Sequence, residues 1–296
     1  MFDGFLQSDI ETVNQSGGAV IRTLVGGEGP PLLLLHGYPQ THVMWHKIAP
    51  QLAERFTVVV TDLRGYGDSS KPETTPDHAP YSFRAMADDQ IQVMKSLGFE
   101  SFAVAGHDRG ARTAHRLALD HPECISKLAL LDIVPTLTLY ETADQKAATS
   151  YYHWYFLIQD FDLPERLIGA DPEYYLRKKT GHWSAGDCFT EDAMAEYIRC
   201  FSNPATIHAS CEDYRAAASI DLEFDREDQA KGQKIKCPTL VLWGDKGAMG
   251  ACYDVLETWQ EKCETVSGAG LPCGHFLAEE DPEGTFRALS DFFEFF

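Results

Sequence analysis

The sequence predicts an α/β chain, a mostly parallel and doubly wound sheet interrupted by a helical insertion. Two observations lead there. Short apolar runs at residues 31–35, 56–60, 102–105 and 127–131 alternate with stretches at helical spacing, the pattern of parallel strands joined by crossover helices. Between residues 135 and 234 that rhythm stops, and it resumes at Cys237-Pro238-Thr239-Leu240-Val241-Leu242-Trp243-Gly244. The expected division is a core domain of residues 1–134 and 235–296, with 135–234 as a helical cap inserted between core strands.

In chain order, residues 9–25 alternate polar and apolar around Gly17-Gly18, which suits an antiparallel hairpin leading the sheet. Residues 31–35 are apolar without alternation, as a strand covered on both faces requires, and end in His36-Gly37-Tyr38-Pro39. Trp45, Ile48 and Leu52 then recur at helical spacing. Residues 56–60 form the next strand, ending in Asp62-Leu63-Arg64-Gly65-Tyr66-Gly67-Asp68-Ser69. Residues 82–97 read as an amphipathic helix with Phe83, Met86, Ile91 and Met94 as its apolar points. The strand 102–105, a helix to about residue 120 and the strand 127–131 ending at Asp132 complete the first part. After the aromatic-rich insertion, 263–266 is the expected last strand and 282–296 the closing helix. Sites in such sheets lie at the carboxyl ends of the strands, where His36, Asp62, Asp108 and Asp132 all fall.

The 296 residues are 44% hydrophobic, ordinary for a protein with a real core. A formal charge of −20 excludes a basic nucleic-acid face and disfavours anionic membranes. The same charge repels small anions at long range, so an anion site needs its own cations. The eight cysteines show no Cys-x-x-Cys spacing and read as reduced thiols of a cytoplasmic protein. The beginning of the sequence carries no signal-peptide pattern, and no apolar stretch is long enough to span a bilayer.

The chemistry centres on Gly106-His107-Asp108-Arg109-Gly110. Small residues two positions either side of Asp108 let the chain bend sharply from strand to helix, as in the nucleophile elbow of α/β-hydrolases, with Asp where Ser is more familiar. A carboxylate there can attack a saturated carbon and form an ester that water later cleaves. The plainer reading is a helix N-cap aspartate. Such a nucleophile needs a base for the water and an acid to orient the base. Gly274-His275-Phe276 supplies the late histidine. Asp132 and Asp245 compete as the acid; Gly247 occupies the slot where many relatives carry it after the later strand, which favours Asp132. Arg109 and Arg112, three apart on the first helical turn, share a face beside Asp108. They sit against the helix macrodipole, so they either pair with nearby acids or clamp a substrate carboxylate. Their position directly after the nucleophile favours the clamp. His153, Trp154 and Tyr214 can each donate a hydrogen bond to a leaving group, although each alone is as well explained as a core aromatic.

On these residues the chain resembles the fluoroacetate (haloacetate) dehalogenases of the α/β-hydrolase superfamily. His-Gly-Tyr-Pro-Gln-Thr and Asp-Leu-Arg-Gly-Tyr-Gly-Asp-Ser are shared with epoxide hydrolases and haloalkane dehalogenases. Gly-His-Asp-Arg-Gly-Ala-Arg, the His153-Trp154 pair and Glu212-Asp213-Tyr214-Arg215 are more specific. The resemblance implies the α/β-hydrolase fold, Asp108 as nucleophile, Asp132 and His275 as the activating pair, and Arg109 and Arg112 as carboxylate ligands. It further implies His153, Trp154 and Tyr214 as the halide pocket, backbone N–H groups near Tyr38 and Arg109 for the oxyanion, Trp183 as a pocket wall and a homodimer. Tyr38 stands where relatives often have Phe. The expected reaction converts a haloacetate to glycolate and halide without metal or organic cofactor. The alternatives are an epoxide hydrolase, which usually carries Trp after the nucleophile, and a non-catalytic carboxylate-binding protein of the same fold.

Overall fold

The computed structural model describes residues 1–294. Eight strands form one sheet: β1 (Leu6–Asn14), β2 (Gly17–Gly26), β3 (Pro31–Leu35), β4 (Thr57–Thr61), β5 (Phe102–His107), β6 (Ile125–Leu131), β7 (Thr239–Gly244) and β8 (Val266–Leu271). Their order is β1-β2-β4-β3-β5-β6-β7-β8. β2 pairs antiparallel with β1 and β4, and the remaining pairs are parallel. The α/β-hydrolase fold class expected from the sequence is the one observed.

The chain steps outward from β3 to β4, then returns to lay β5 on the other side of β3. The direction of winding therefore reverses between β3 and β5, and the carboxyl ends of those two strands are where such sheets place their ligands. Leu32, Leu33, Leu34, Val104 and Ala105 are fully buried, since both faces of the sheet are covered by helices. The helix Phe83–Ser96 begins where the Ser82 hydroxyl accepts from the Ala85 N–H, a cap that fixes its start. Between β6 and β7, the described residues form helices from Thr136 to Lys231 and no strand.

Two local expectations are corrected. Residues 45–52 are not one helix: a 3-10 turn at His42–Trp45 is followed by a separate short helix, Ala49–Leu52. Pro50, which has no N–H to continue a helix, fits best at the start of the second segment. The last strand lies at Val266–Leu271, and Cys263 makes only an isolated bridge with Ile235. This edge strand is half-exposed and rich in small residues, so it lacks the apolar run that marks its buried neighbours. Among the described residues no helix is long and apolar enough to cross a membrane.

Candidate active site

Asp108 ends β5 and opens the helix Arg109–Asp120 with φ 48° and ψ −114°, a conformation L-residues rarely adopt. Such a backbone persists only where its surroundings enforce it, at a cost of about 1–3 kcal/mol. The enforcement here is close packing. A Cβ on Gly106 would lie 2.4 Å from the Gly110 oxygen, and one on Gly37 would lie 2.4 Å from the Asp108 Cβ. Asp108 does not cap its helix with its side chain. Instead its Oδ1 accepts from the Tyr38 N–H at 2.9 Å, across the switch between β3 and β5. Burial opposes its charge. The His275 imidazole and the Arg109 and Arg112 guanidiniums outweigh that and hold the carboxyl below the usual carboxylate range.

Asp132 ends β6, also at positive φ (53°). Its Oδ2 lies 2.5 Å from His275 Nδ1, while Oδ1 accepts from the Gly244 N–H at 2.9 Å. A carboxylate can only accept, so Nδ1 carries the hydrogen and Nε2 is left as the basic nitrogen. That Nε2 is buried, makes no hydrogen bond, and lies 3.9 Å from Asp108 Oδ2. His107 was not singled out from the sequence. Burial pulls it down to about 3, so it is neutral, and its Nε2–H donates to the His275 carbonyl at 2.8 Å. Asp245, the rival acid, accepts from the Trp243 indole instead.

Arg109 and Arg112 are both buried. Arg109 sits in a two-pronged pair with Asp213, Nε to Oδ2 at 2.9 Å and Nη2 to Oδ1, and Nη2 also donates to the Asp213 carbonyl at 3.0 Å. Asp213, which the sequence reading quoted only inside a motif, is therefore its main partner. Arg109 Nη1 remains unpartnered. Among the described residues no carboxylate lies at salt-bridge distance from Arg112: Nη1 donates to the Val134 carbonyl at 2.9 Å and to Thr136 Oγ1 at 3.1 Å. Its Nε and Nη2 are buried without partners. Burial and repulsion by Arg109, against the pull of Asp108, lower Arg112 to about 10. Three guanidinium nitrogens beside Asp108 thus lack an acceptor, a costly arrangement unless an anion supplies one.

His153, Trp154 and Tyr214 come together on the helical side. His153 Nε2 lies 3.1 Å from Tyr214 Oη, and the Trp154 and Tyr214 rings meet edge-on with centroids 5.7 Å apart. Trp154 Nε1 is buried and unpartnered. The Arg112 and Arg109 guanidiniums lie 4.4 and 4.0 Å from the Trp154 and Tyr214 ring centroids, respectively. Trp183 reaches both halves, its ring 4.6 Å from those of His153 and His275. Tyr38 stacks on His153 and places its hydroxyl 3.2 Å from that of Tyr175. Sequence reasoning missed Asp213, His107 and Lys179, whose amine lies 2.8 Å from His153 Nδ1. For Asp213 a signal existed, an acid beside Tyr214 in the quoted motif; for Lys179 none did.

A family profile for the alpha/beta hydrolase fold matches residues 30–282. The chain is 46% identical over 99% of its length to a fluoroacetate dehalogenase from Burkholderia sp, spanning 95% of that protein. It is 34% identical over 91% of its length to a soluble epoxide hydrolase from Corynebacterium sp. (strain C12), spanning 92% of it. Among solved structures, a provisionally assigned alpha/beta hydrolase from Nostoc sp PCC 7120 is 61% identical and superposes over all of both chains with a TM-score of 0.97.

Proposed function

The chain belongs to the α/β-hydrolase family, and on that premise we propose that it is a hydrolytic dehalogenase of short 2-haloacids, converting a haloacetate to glycolate and halide. The observation that carries this reading is the set of unpartnered guanidinium nitrogens, Arg109 Nη1 and Arg112 Nε and Nη2, buried beside the Asp108 carboxylate. A substrate carboxylate bound there has its α-carbon next to Asp108. The likeness to the Burkholderia fluoroacetate dehalogenase supports the same reaction.

Asp108 Oδ2 displaces the halide in line and forms a glycolyl ester, while the arginines hold the acid end. Trp154 Nε1–H and the Tyr214 hydroxyl, which His153 backs, take up the negative charge that grows on the halogen only as the bond breaks. His275, oriented by Asp132, then removes a proton from water. The resulting hydroxide attacks the ester carbonyl, whose oxygen meets the Tyr38 and Arg109 N–H groups. Residues 135–234 act as the cap that closes the site, and the free state of all eight cysteines suits a cytoplasmic protein. The resemblance carried by the sequence motifs implies a homodimer.

Halide release from fluoro-, chloro- and bromoacetate, measured in parallel, is the direct test. A single turnover in heavy-oxygen water with enzyme in excess should give unlabelled glycolate. Label in that first product would rule out the ester.

A second reading has its own support. Tyr151 and Tyr214 are both buried on the helical side, and both phenols are raised well above their usual range by burial first, then by the Asp132 and Asp108 charges at Tyr151 and by the Asp108 charge at Tyr214. Two such donors suit an epoxide oxygen, and the chain is also similar to an epoxide hydrolase. A neutral epoxide would leave the guanidinium nitrogens unanswered, which favours the haloacid. Turnover of styrene oxide with no halide release would reverse the choice.

A further inference from the structure

We propose that Lys179 is a positioning residue for the halide pocket: its amine, seated on His153 Nδ1, keeps the imidazole in the Nε2–H form and leaves the Tyr214 hydroxyl hydrogen free for the departing halide. The inference rests on the dehalogenase reading for its chemistry, but its geometry stands alone. Lys179 lies on the helix Pro172–Trp183, is 1% exposed, and places Nζ 2.8 Å from His153 Nδ1. The faces of Trp183 and Tyr152 enclose the amine at 3.4 and 4.8 Å from the ring centroids. Among the described residues no carboxylate lies within salt-bridge distance of it. A buried lysine on an imidazole is a poor device for stability, since an apolar side chain would fill the space at lower cost.

What the amine does is fix the direction of a hydrogen-bond chain. An ammonium has only hydrogens to give, so Nδ1 must accept and the ring hydrogen sits on Nε2. Nε2–H then donates to Tyr214 Oη at 3.1 Å, and the phenol hydrogen is free to point into the pocket. In the opposite tautomer Nε2 would take the Tyr214 hydrogen, and the halide would lose a donor. The ring is neutral, so the tautomer is the relevant variable: burial first, then Lys179, Arg109, His275 and Arg112 pull His153 well below its usual range.

The Asp108 carboxylate is the charge that favours the ammonium. Burial takes the Lys179 amine well below the usual lysine range and the Asp108 carboxylate pulls it back up. A bound haloacid carboxylate adds to the upward pull.

The test compares the wild type with Lys179→Met, which keeps the bulk and removes the donor, and Lys179→Arg, which restores a donor-only cation. Nitrogen NMR of histidine-labelled protein should show His153 protonated on Nε2 in the wild type and in Lys179→Arg, and shifted towards Nδ1–H in Lys179→Met. With fluoroacetate, Lys179→Met should lower kcat about 10–100-fold, the size expected for one lost transition-state donor, with KM within about twofold. Bromoacetate, whose leaving group needs less hydrogen bonding, should lose no more than about threefold by the same logic. An unchanged His153 tautomer in Lys179→Met, or equal losses on both substrates, overturns the proposal. If the wild type releases no halide from any haloacetate, the dehalogenase reading fails, and the tautomer measurement alone decides for or against Lys179.

Discussion

The strand-rim half of the site and the helical half are held by different kinds of contact. At the rim, Asp108, Asp132 and His275 are fixed by backbone: two positive-φ turns, the Tyr38 and Gly244 amides, and the His275 carbonyl held by His107. Apart from the Asp132–His275 pair itself, each of these contacts has a main-chain group on one side. On the helical side, side chains hold side chains: Asp213 on Arg109, Lys179 on His153, His153 on Tyr214. That half also contains the unpartnered Trp154 nitrogen, and the arginines where the halves meet carry three more. The contrast teaches a division of labour. Bond making needs a geometry that cannot drift, whereas recognition needs donors left free for the substrate.

Breaking the rim should have the largest effect. Asp108→Asn should remove halide release altogether, a loss of at least about 10⁴-fold in kcat for a deleted nucleophile, while haloacetate binding stays measurable by calorimetry. Next, the two arginines should respond in opposite ways. Arg109→Met strands the buried Asp213 carboxylate and should lower unfolding free energy by about 3–5 kcal/mol in denaturant titration. Arg112→Met removes a buried charge with no carboxylate partner and should change stability by less than about 1 kcal/mol, while raising KM for haloacetate about 100-fold. Equal destabilisation by both would erase the distinction drawn between them.

Asp221 sharpens the comparison at the joint between the halves. Starting the helix Ile220–Lys231, it accepts from the Phe83 N–H at 3.1 and 3.2 Å. Burial first, and the Asp225 charge, push its carboxyl up to about 7, against that backbone bond. Because the folded protein keeps this proton to higher pH than the unfolded chain, its contribution is fully present below about pH 4 and is lost as pH rises towards 7. Wild-type stability should therefore fall across that window relative to Asp221→Asn by roughly 2–4 kcal/mol, read from denaturant midpoints at pH 5 and 8. The smallest effect belongs to Trp154→Phe. Its indole nitrogen bonds nothing in the folded protein, so stability should hardly change, while kcat on fluoroacetate should drop about tenfold for one lost neutral donor.

The rim half was legible in the sequence because its residues sit in turns with their own chemistry. Gly106 and Gly110 bracket Asp108, and Asp132 and His275 follow strands. The helical half was legible only through resemblance, since His153, Trp154 and Tyr214 look like core aromatics one at a time. Asp213 and Lys179 were not assigned roles at all. Their partners lie 104 and 26 residues away, and only helix packing brings them within reach. The edge strand β8 was misplaced for a related reason: half-exposed and glycine-rich, it shows no continuous apolar run.

The Tyr38 amide touches one oxygen of Asp108 and His275 faces the other. On the proposed chemistry this makes the carboxylate isotopically lopsided. The oxygen on the amide stays with the chain through every cycle, and the one opposite is surrendered to glycolate and replaced from solvent. A long-worked molecule in heavy-oxygen water would then carry a single foreign oxygen at Asp108, never two, for as long as the side chain does not turn over.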